Sequence, residues 1–201
     1  MKHVLPVELN PAIQNKVAEE LPILQEIQDE TLRQQTIDAW TLALQLNGFF
    51  AISDIPGSGM PGTTELGNQL HHILAVAYNS VSLFDNLERI YGVSLGIDRE
   101  KLISGAVLHD VGKAYEYNPE NLERWHKNIH QTGCLNVRHP AYGVYIAMTI
   151  GLPEEVVHVC SCHSLEGRYV QRSVYATIVH YADDGSWFTL SNAFDMHIPE
   201  L

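Results

Sequence analysis

Apolar segments that begin at proline or a capping residue and end at glycine most restrict the fold of this chain. In the segment from Thr31 to Asn47, apolar residues recur at helical spacing, and Gly48 follows directly. This spacing buries one face of an α-helix, and glycine often ends a helix because it tolerates the left-handed backbone conformation. Alternation of apolar and polar residues never persists, and no turn dipeptide separates two β-branched runs. The sequence therefore predicts an all-α fold with strand content near zero.

The boundaries of the other helices follow from the same signals: an N-cap residue or proline at the start and a glycine near the end. Helices are predicted at residues 11–29 (interrupted at Leu21-Pro22), 65–91 (capped by Thr63 or Thr64), 99–115 (capped by Asp98), from Asn118 onward, 140–151, from Pro153 onward, and 173–184. The glycine- and proline-rich stretch 53–63 predicts a connecting loop. Residues 1–62 are expected to form a helical extension packed on residues 63–201, so that the two make one compact unit.

Charge and cysteine content exclude several classes of protein. Acidic residues number 24 against 12 lysines and arginines, which gives a net charge of −12. Such a surface repels phosphate backbones, so nucleic acid is not an expected partner, but a small phosphorylated substrate is allowed because bound metal cations reverse the local field. No stretch is long and apolar enough for a membrane span, and the N-terminus lacks signal-peptide features. Three cysteines without a framework spacing favour reduced thiols in the cytoplasm.

Histidines and aspartates within apolar helical stretches carry the chemical information. Most of the 11 histidines lie between positions 71 and 180. The segments concerned are LHHILAVA at 70–77, LHDVGKAYEY at 108–117, RHPAYG at 138–143, CHSLEG at 162–167 and VHYADD at 179–184. Asp110 lies between Leu108 and Val111 in such a stretch, so its carboxylate is expected to face inward and to need a cation. A neighbouring imidazole and carboxylate suit Zn, Fe, Mn, Co or Ni.

Several of these side chains, on successive predicted helices, follow the order of a known family. They are His72, His109, Asp110 and Asp183. This order resembles the HD superfamily of metal-dependent phosphohydrolases. Val76-Ala77 begins four residues after His72, as in that family, which favours His72 over His71; residues 109–113 reproduce the His-Asp-x-Gly-Lys motif, and Ala182 precedes the last aspartate as expected. The resemblance covers residues 65–185 and implies an HD-domain-like helical bundle.

The resemblance also implies a metal centre and a reaction. His139 and His163 fall where some members carry two further histidines that bind a second metal. Six ligands would then hold two divalent ions, with Asp110 bridging them as the central catalytic residue: His72, His109, Asp110, His139, His163 and Asp183. The implied reaction is hydrolysis of a small phosphorylated metabolite or nucleotide by a metal-bound hydroxide. A site with one ion, in which the two additional histidines are ordinary helix-end residues, is the alternative.

Three further residues are candidates for catalysis or substrate binding. Lys113 lies four residues after His109, so the two are expected on one helix face, where the ammonium could neutralise a phosphate. Arg172, before the last helix, is a second candidate for substrate binding. Glu166 is expected to orient His163 or the attacking water. An ordinary lysine near a helix end is the alternative for Lys113.

Two other functions are compatible with the same ligands. Dinuclear relatives such as the inositol oxygenases use two irons and dioxygen to cleave carbon bonds, and the sequence does not separate that chemistry from hydrolysis. A non-catalytic signalling module with an HD fold is the other alternative, but loss of ligands would mark it and none is missing here. The substrate, the metal and the oligomeric state, a homo-oligomer included, stay open at this point.

Overall fold

The computed structural model describes residues 7–57 and 66–194, and all regular structure in these ranges is helical. The α-helices are α1 (Pro11–Glu20), α2 (Glu30–Leu46), α3 (Gln69–Tyr91), α4 (Arg99–Leu108), α5 (Lys113–Glu116), α6 (Pro119–Lys127), α7 (Ile129–Thr132), α8 (His139–Ile150), α9 (Glu154–Cys162) and α10 (Val174–Ala193). Single 3₁₀ turns occupy Pro22–Glu26, Ile52–Asp54 and Leu165–Tyr169. The predicted all-α fold is confirmed. None of the described helices could cross a membrane.

Side-chain caps start the helices largely where the sequence predicts them. The Asn10 side chain accepts from the Ala12 N–H at the start of α1, and the Asp98 side chain accepts from Glu100 and Lys101 at the start of α4. Helix α3 begins later than predicted, because Asn68 is its N-cap. The predicted caps Thr63 and Thr64 lie outside the described residues.

The main correction concerns the helix predicted at 99–115. Helix α4 ends at Leu108, and the His-Asp motif follows in a tight turn before α5 begins at Lys113. In this turn Val111 donates to the Leu108 carbonyl and Lys113 to the Asp110 carbonyl, so hydrogen bonds span three residues rather than four. The prediction that Lys113 shares one continuous helix face with His109 is therefore wrong.

Helices α8 and α10 also differ from their predicted bounds. Helix α8 begins at His139 and ends at Ile150, and its C-cap Gly151 takes the left-handed conformation with φ of 83°. Helix α10 continues to Ala193, well past the predicted end at 184, so Asp183 lies in its middle. A mid-helix position inside the core holds this carboxylate more firmly than a frayed end would.

A shared hydrophobic core joins the N-terminal helices to the rest of the chain. Helix α2 packs against α1, α4 and α8, and α3 packs against α4 and α10. Trp40 of α2 is fully buried, and its indole N–H donates to the Val107 carbonyl of α4 at 3.0 Å. These contacts support the proposal that the N-terminal extension and the histidine-rich part form one compact unit, with the end of α4 at its centre.

Candidate metal centre and substrate cavity

The six predicted metal ligands converge in space although they are far apart in sequence. They are His72 from α3, His109 and Asp110 from the turn after α4, His139 at the start of α8, His163 directly after α9, and Asp183 from α10. Their side chains are between 0% and 15% exposed. So many titratable groups gathered in a buried site favour a metal centre over a set of ordinary surface contacts.

The Asp110 carboxylate lies between two groups of imidazoles. Its Oδ1 is 3.2 Å from His139 Nε2 and 3.5 Å from His163 Nε2. Its Oδ2 is 3.4 Å from His72 Nε2 and accepts a 2.8 Å hydrogen bond from the Gln69 amide. The two oxygens of one carboxylate therefore face different sets of ligands.

Two potential metal-binding atoms of this cluster make no hydrogen bond within the described residues. They are His163 Nε2 and Asp183 Oδ1, although Asp110 Oδ1 lies 3.5 Å from the first and His72 Nε2 lies 3.3 Å from the second. The Nε2 atoms of His72 and His109 are 3.2 Å apart, so at most one proton can satisfy both. Two groups of side chains could each hold a metal ion, because within each group the possible ligand atoms all lie within 4.8 Å of one another. One group is His72, His109 and Asp183, and the other is His109, Asp110 and His163. This donor set fits divalent transition metals, which would satisfy the orphaned atoms.

The protonation states suit metal binding. Burial lowers the pKa of His109 well below its ordinary value, and burial together with the Lys113 charge lowers the pKa of His139 to about 4. Burial acts to raise the pKa of Asp110, but His139 and Lys113 outweigh it and hold that pKa well below the usual range. At neutral pH His109 and His139 thus offer uncharged imidazoles and Asp110 offers an ionised carboxylate, the forms that bind metals.

Glu116 is a buried residue beside the cluster that sequence reasoning missed. Its Oε2 is 2.7 Å from His139 Nδ1 and 3.0 Å from Lys113 Nζ, and its Oε1 accepts a 3.1 Å hydrogen bond from Arg138. Although burial opposes ionisation, the hydrogen bond with His139 and the Lys113 charge lower the pKa of Glu116 to about 2. An acceptor at Nδ1 directs the Nε2 lone pair of His139 toward Asp110. The sequence feature that could have identified Glu116 is its position three residues after Lys113, in the same motif segment.

Backbone carbonyls orient two of the other imidazoles. His109 Nδ1 is 2.7 Å from the Ala106 carbonyl, and His163 Nδ1 is 3.1 Å from the Val159 carbonyl. Glu166 makes no hydrogen bond to His163 among the described residues; its Oε1 accepts from Arg138 Nε at 3.1 Å. Partial burial acts to raise the pKa of Glu166, but hydrogen bonds from the backbone and from Arg138 lower it.

A cavity of about 660 Å³ opens from the cluster, with Asp110, His139 and Asp183 in its wall. Its basic lining residues are Lys113, Arg138, Arg168 and Arg172, and its large apolar lining residues are Tyr117, Leu122, Leu135, Leu165, Trp187 and Phe188. The Trp187 ring lies 5.4 Å from the His72 ring, between centroids. A cavity with an apolar wall, a few charged groups and a candidate metal site at one side has the character of a small-molecule site.

The predicted residues Lys113 and Arg172 both line this cavity but differ in their partners. Lys113 Nζ is 3.0 Å from Glu116, and although burial opposes it, Asp110 and Glu116 raise the pKa of this lysine. Arg172 Nε donates to the Cys162 carbonyl and its Nη2 to the Ser164 carbonyl, each at 2.8 Å. The lysine therefore stays charged beside the cluster, whereas the arginine binds the backbone.

The fold and this site define a class of protein, and comparison with known families agrees: the HD domain model matches residues 70–186, so the chain belongs to the HD-domain family. This confirms the resemblance found in the sequence. Among curated proteins, the dihydroneopterin 2′,3′-cyclic phosphate phosphodiesterase of Methanocaldococcus jannaschii is 25% identical over 170 residues, which cover 82% of this chain and 66% of that protein. No solved structure matches significantly.

Proposed function

We propose that this chain is a metal-dependent phosphohydrolase that cleaves a phosphodiester of a small metabolite or nucleotide. The observation that carries the proposal is the Asp110 carboxylate, whose two oxygens face separate imidazole groups at the wall of a cavity that four basic side chains also line. Membership of the HD-domain family supports hydrolysis, and a relative named as a phosphodiesterase supports it further.

We propose two divalent ions in this centre, drawn from Fe, Mn, Zn, Co or Ni. His72, His109 and Asp183 would hold one ion, His139 and His163 would hold the other, and Asp110 would serve both. When bound, such ions supply the Lewis acidity that activates water and polarises a phosphoryl group. The orphaned His163 Nε2 and Asp183 Oδ1 atoms, one in each ligand set, support this division.

The residues around the centre would position the ligands and the substrate. Lys113 keeps its proton and lines the cavity, so it can stabilise negative charge that grows on phosphoryl oxygens. Glu116 would hold His139 in the orientation that metal binding needs. Glu166 accepts from Arg138, so we assign it the positioning of that arginine in the cavity wall.

The size of the cavity indicates the size of the substrate. A cavity of about 660 Å³ is far larger than inorganic phosphate needs and has the size typical of small-molecule sites. Trp187, Phe188 and Tyr117 offer aromatic surface for an organic ring. The relative is named for a pterin cyclic phosphate, so cyclic phosphodiesters of ring-bearing compounds are the first class to test here.

The test is metal-dependent hydrolysis. Protein stripped of metal is reloaded separately with each candidate ion and assayed with bis(p-nitrophenyl) phosphate, nucleoside 2′,3′-cyclic phosphates and phosphomonoesters. We expect hydrolysis of the diesters with at least one ion. A fully loaded protein that cleaves none of them would contradict the proposal, and dioxygen consumption without phosphate-ester cleavage would favour the dinuclear oxygenase alternative.

Two adjacent aspartates provide a matched control for the metal assignment. The Asp183 side chain is 15% exposed, whereas that of Asp184 is 45% exposed and lies 3.6 Å from His180. We expect Asp183→Asn to lose bound metal and Asp184→Asn to keep it. Equal metal content in the two variants would contradict the assignment of Asp183.

A further inference from the structure

The cavity brings together many basic side chains of a strongly acidic protein, beside the carboxylates of Asp110, Glu116, Asp183 and Asp184. Four of the 12 lysines and arginines of a chain with net charge −12 line this one cavity. Three of the four already have partners: Lys113 is 3.0 Å from Glu116, Arg138 bonds both Glu116 and Glu166 at 3.1 Å, and Arg172 binds backbone carbonyls. Arg168 differs, because it makes no salt bridge or side-chain hydrogen bond with any described residue.

The segment that carries Arg168 is packed on one side only, with Gly167 buried and Arg168 exposed. Arg168 lies in the 3₁₀ turn Leu165–Tyr169, five residues after the metal-ligand candidate His163. The Arg172 guanidinium binds the carbonyls of Cys162 and Ser164, which join α9 to this turn. Gly167 is buried in the turn, and a Cβ there would lie 2.5 Å from Arg172 Nε. Arg172 therefore fills the space behind the turn.

We propose that Arg168 is the specificity-determining contact for negative charge on the substrate, and that Arg172 positions the turn that presents it. A guanidinium without an internal partner at the wall of a cavity suits a phosphate oxygen, which it can bind through two parallel N–H groups. The proposal deepens the function given above and rests on it. It assigns substrate binding to a residue that sequence reasoning did not select.

The test compares Arg168→Gln with Arg168→Lys and with Arg89→Gln, an exposed arginine on α3 that serves as the charge-matched control. We expect Arg168→Gln to raise KM about tenfold, with kcat within twofold and metal content unchanged, because the lost contact binds substrate without activating water. Arg168→Lys should recover part of the loss, since charge is kept while the planar fork is not. Arg89→Gln should match the wild type.

The substrate set identifies which anionic group Arg168 binds. A nucleoside 2′,3′-cyclic phosphate is compared with the same compound carrying a 5′-phosphate. A KM increase on both compounds places the contact at the reacting phosphodiester, and an increase confined to the second places it at a remote phosphate. Either outcome supports the proposal, and an unchanged KM on both overturns it.

A direct measurement of anion binding tests the role of Arg168 independently of whether the protein hydrolyses the chosen substrates. The dissociation constant of inorganic phosphate for the metal-loaded protein is measured by calorimetry, and we expect about a tenfold weaker value for Arg168→Gln. This binding measurement gives a result even if none of the chosen diesters is hydrolysed.

For Arg172→Gln we expect a lower thermal midpoint of unfolding, which Arg168→Gln should not show. Identical midpoints for Arg172→Gln and the wild type would overturn the positioning role.

Discussion

A pair of glycines at the contact between α5 and α8 offers a test of how the metal centre is held. Gly112 closes the His-Asp turn, and a Cβ there would overlap the His139 carbonyl oxygen and lie 2.9 Å from the Gly143 nitrogen. Gly143, on the α8 side of the same contact, has room: its Cβ would lie 3.5 Å from both Cys160 Cβ and Val111 Cγ1. Gly112 has an ordinary φ of −71°, so close approach alone requires glycine at that position.

The two substitutions are expected to change the free energy of unfolding in opposite directions. In Gly112→Ala the new methyl meets backbone atoms that cannot rotate away, so α8 has to shift; overpacking of this kind costs about 3 kcal/mol of unfolding free energy. In Gly143→Ala the contacts are ordinary, and replacing glycine inside a helix gains up to about 1 kcal/mol. The two variants should therefore differ by about 4 kcal/mol.

Urea unfolding of the metal-free proteins measures this difference, and elemental analysis of the loaded proteins measures its consequence. Because the displaced carbonyl belongs to His139 itself, Gly112→Ala should also lose metal, whereas Gly143→Ala should keep its full content. Equal unfolding free energies for the two variants would refute the argument that close backbone approach positions His139.

Four other predictions concern the ligands and the charge beside them. Asp110→Ala should lose bound metal and activity, because both proposed ion sites would use this carboxylate; full metal content by elemental analysis would contradict it. The double variant His139→Ala/His163→Ala should lose about one ion per chain by ligand count, and an unchanged content would indicate a site with one ion. Lys113→Ala should keep its metal but lower kcat/KM about 100-fold, as expected when one group that stabilises the transition state is removed; unchanged kinetics would assign the lysine a structural role. Because burial depresses the pKa of His139 to about 4, the unfolded chain binds a proton below about pH 6.5 that the folded chain does not. The metal-free wild type should therefore lose about 1 kcal/mol more stability than His139→Gln between pH 7.5 and 5.5, and parallel urea profiles would contradict this.

Local patterns were sufficient to predict the helical fold class, several helix starts and the family. Helical spacing and caps such as Asn10 and Asp98 act within a few residues, so they can be read directly from the chain. The same holds for the His-Asp-x-Gly-Lys segment, which lies between His72 and Asp183 in the order that resembles the HD family. These inferences needed no knowledge of which helices pack together.

Tertiary structure decided how the residues of the site divide their roles. Helix α4 ends at Leu108 rather than continuing to 115, and the next turn packs against the backbone of α8. Glu116 bonds His139 across 23 residues, and Glu166 bonds Arg138 rather than His163. Sequence spacing predicts neighbours within a helix, but partners on different helices depend on packing.

The two arginines near the last helix show the limit most clearly. From the sequence alone, Arg172 is a candidate for substrate binding, since any arginine near the ligands could serve. In the folded chain its guanidinium binds the carbonyls of Cys162 and Ser164, while Arg168 has no partner among the described residues. The sequence determined the helices, the family and the candidate ligands because those signals are local or carried by a motif. Only the tertiary structure decided which cations are already bound within the protein, because a charge is neutralised by groups close to it in space, whatever their distance along the chain.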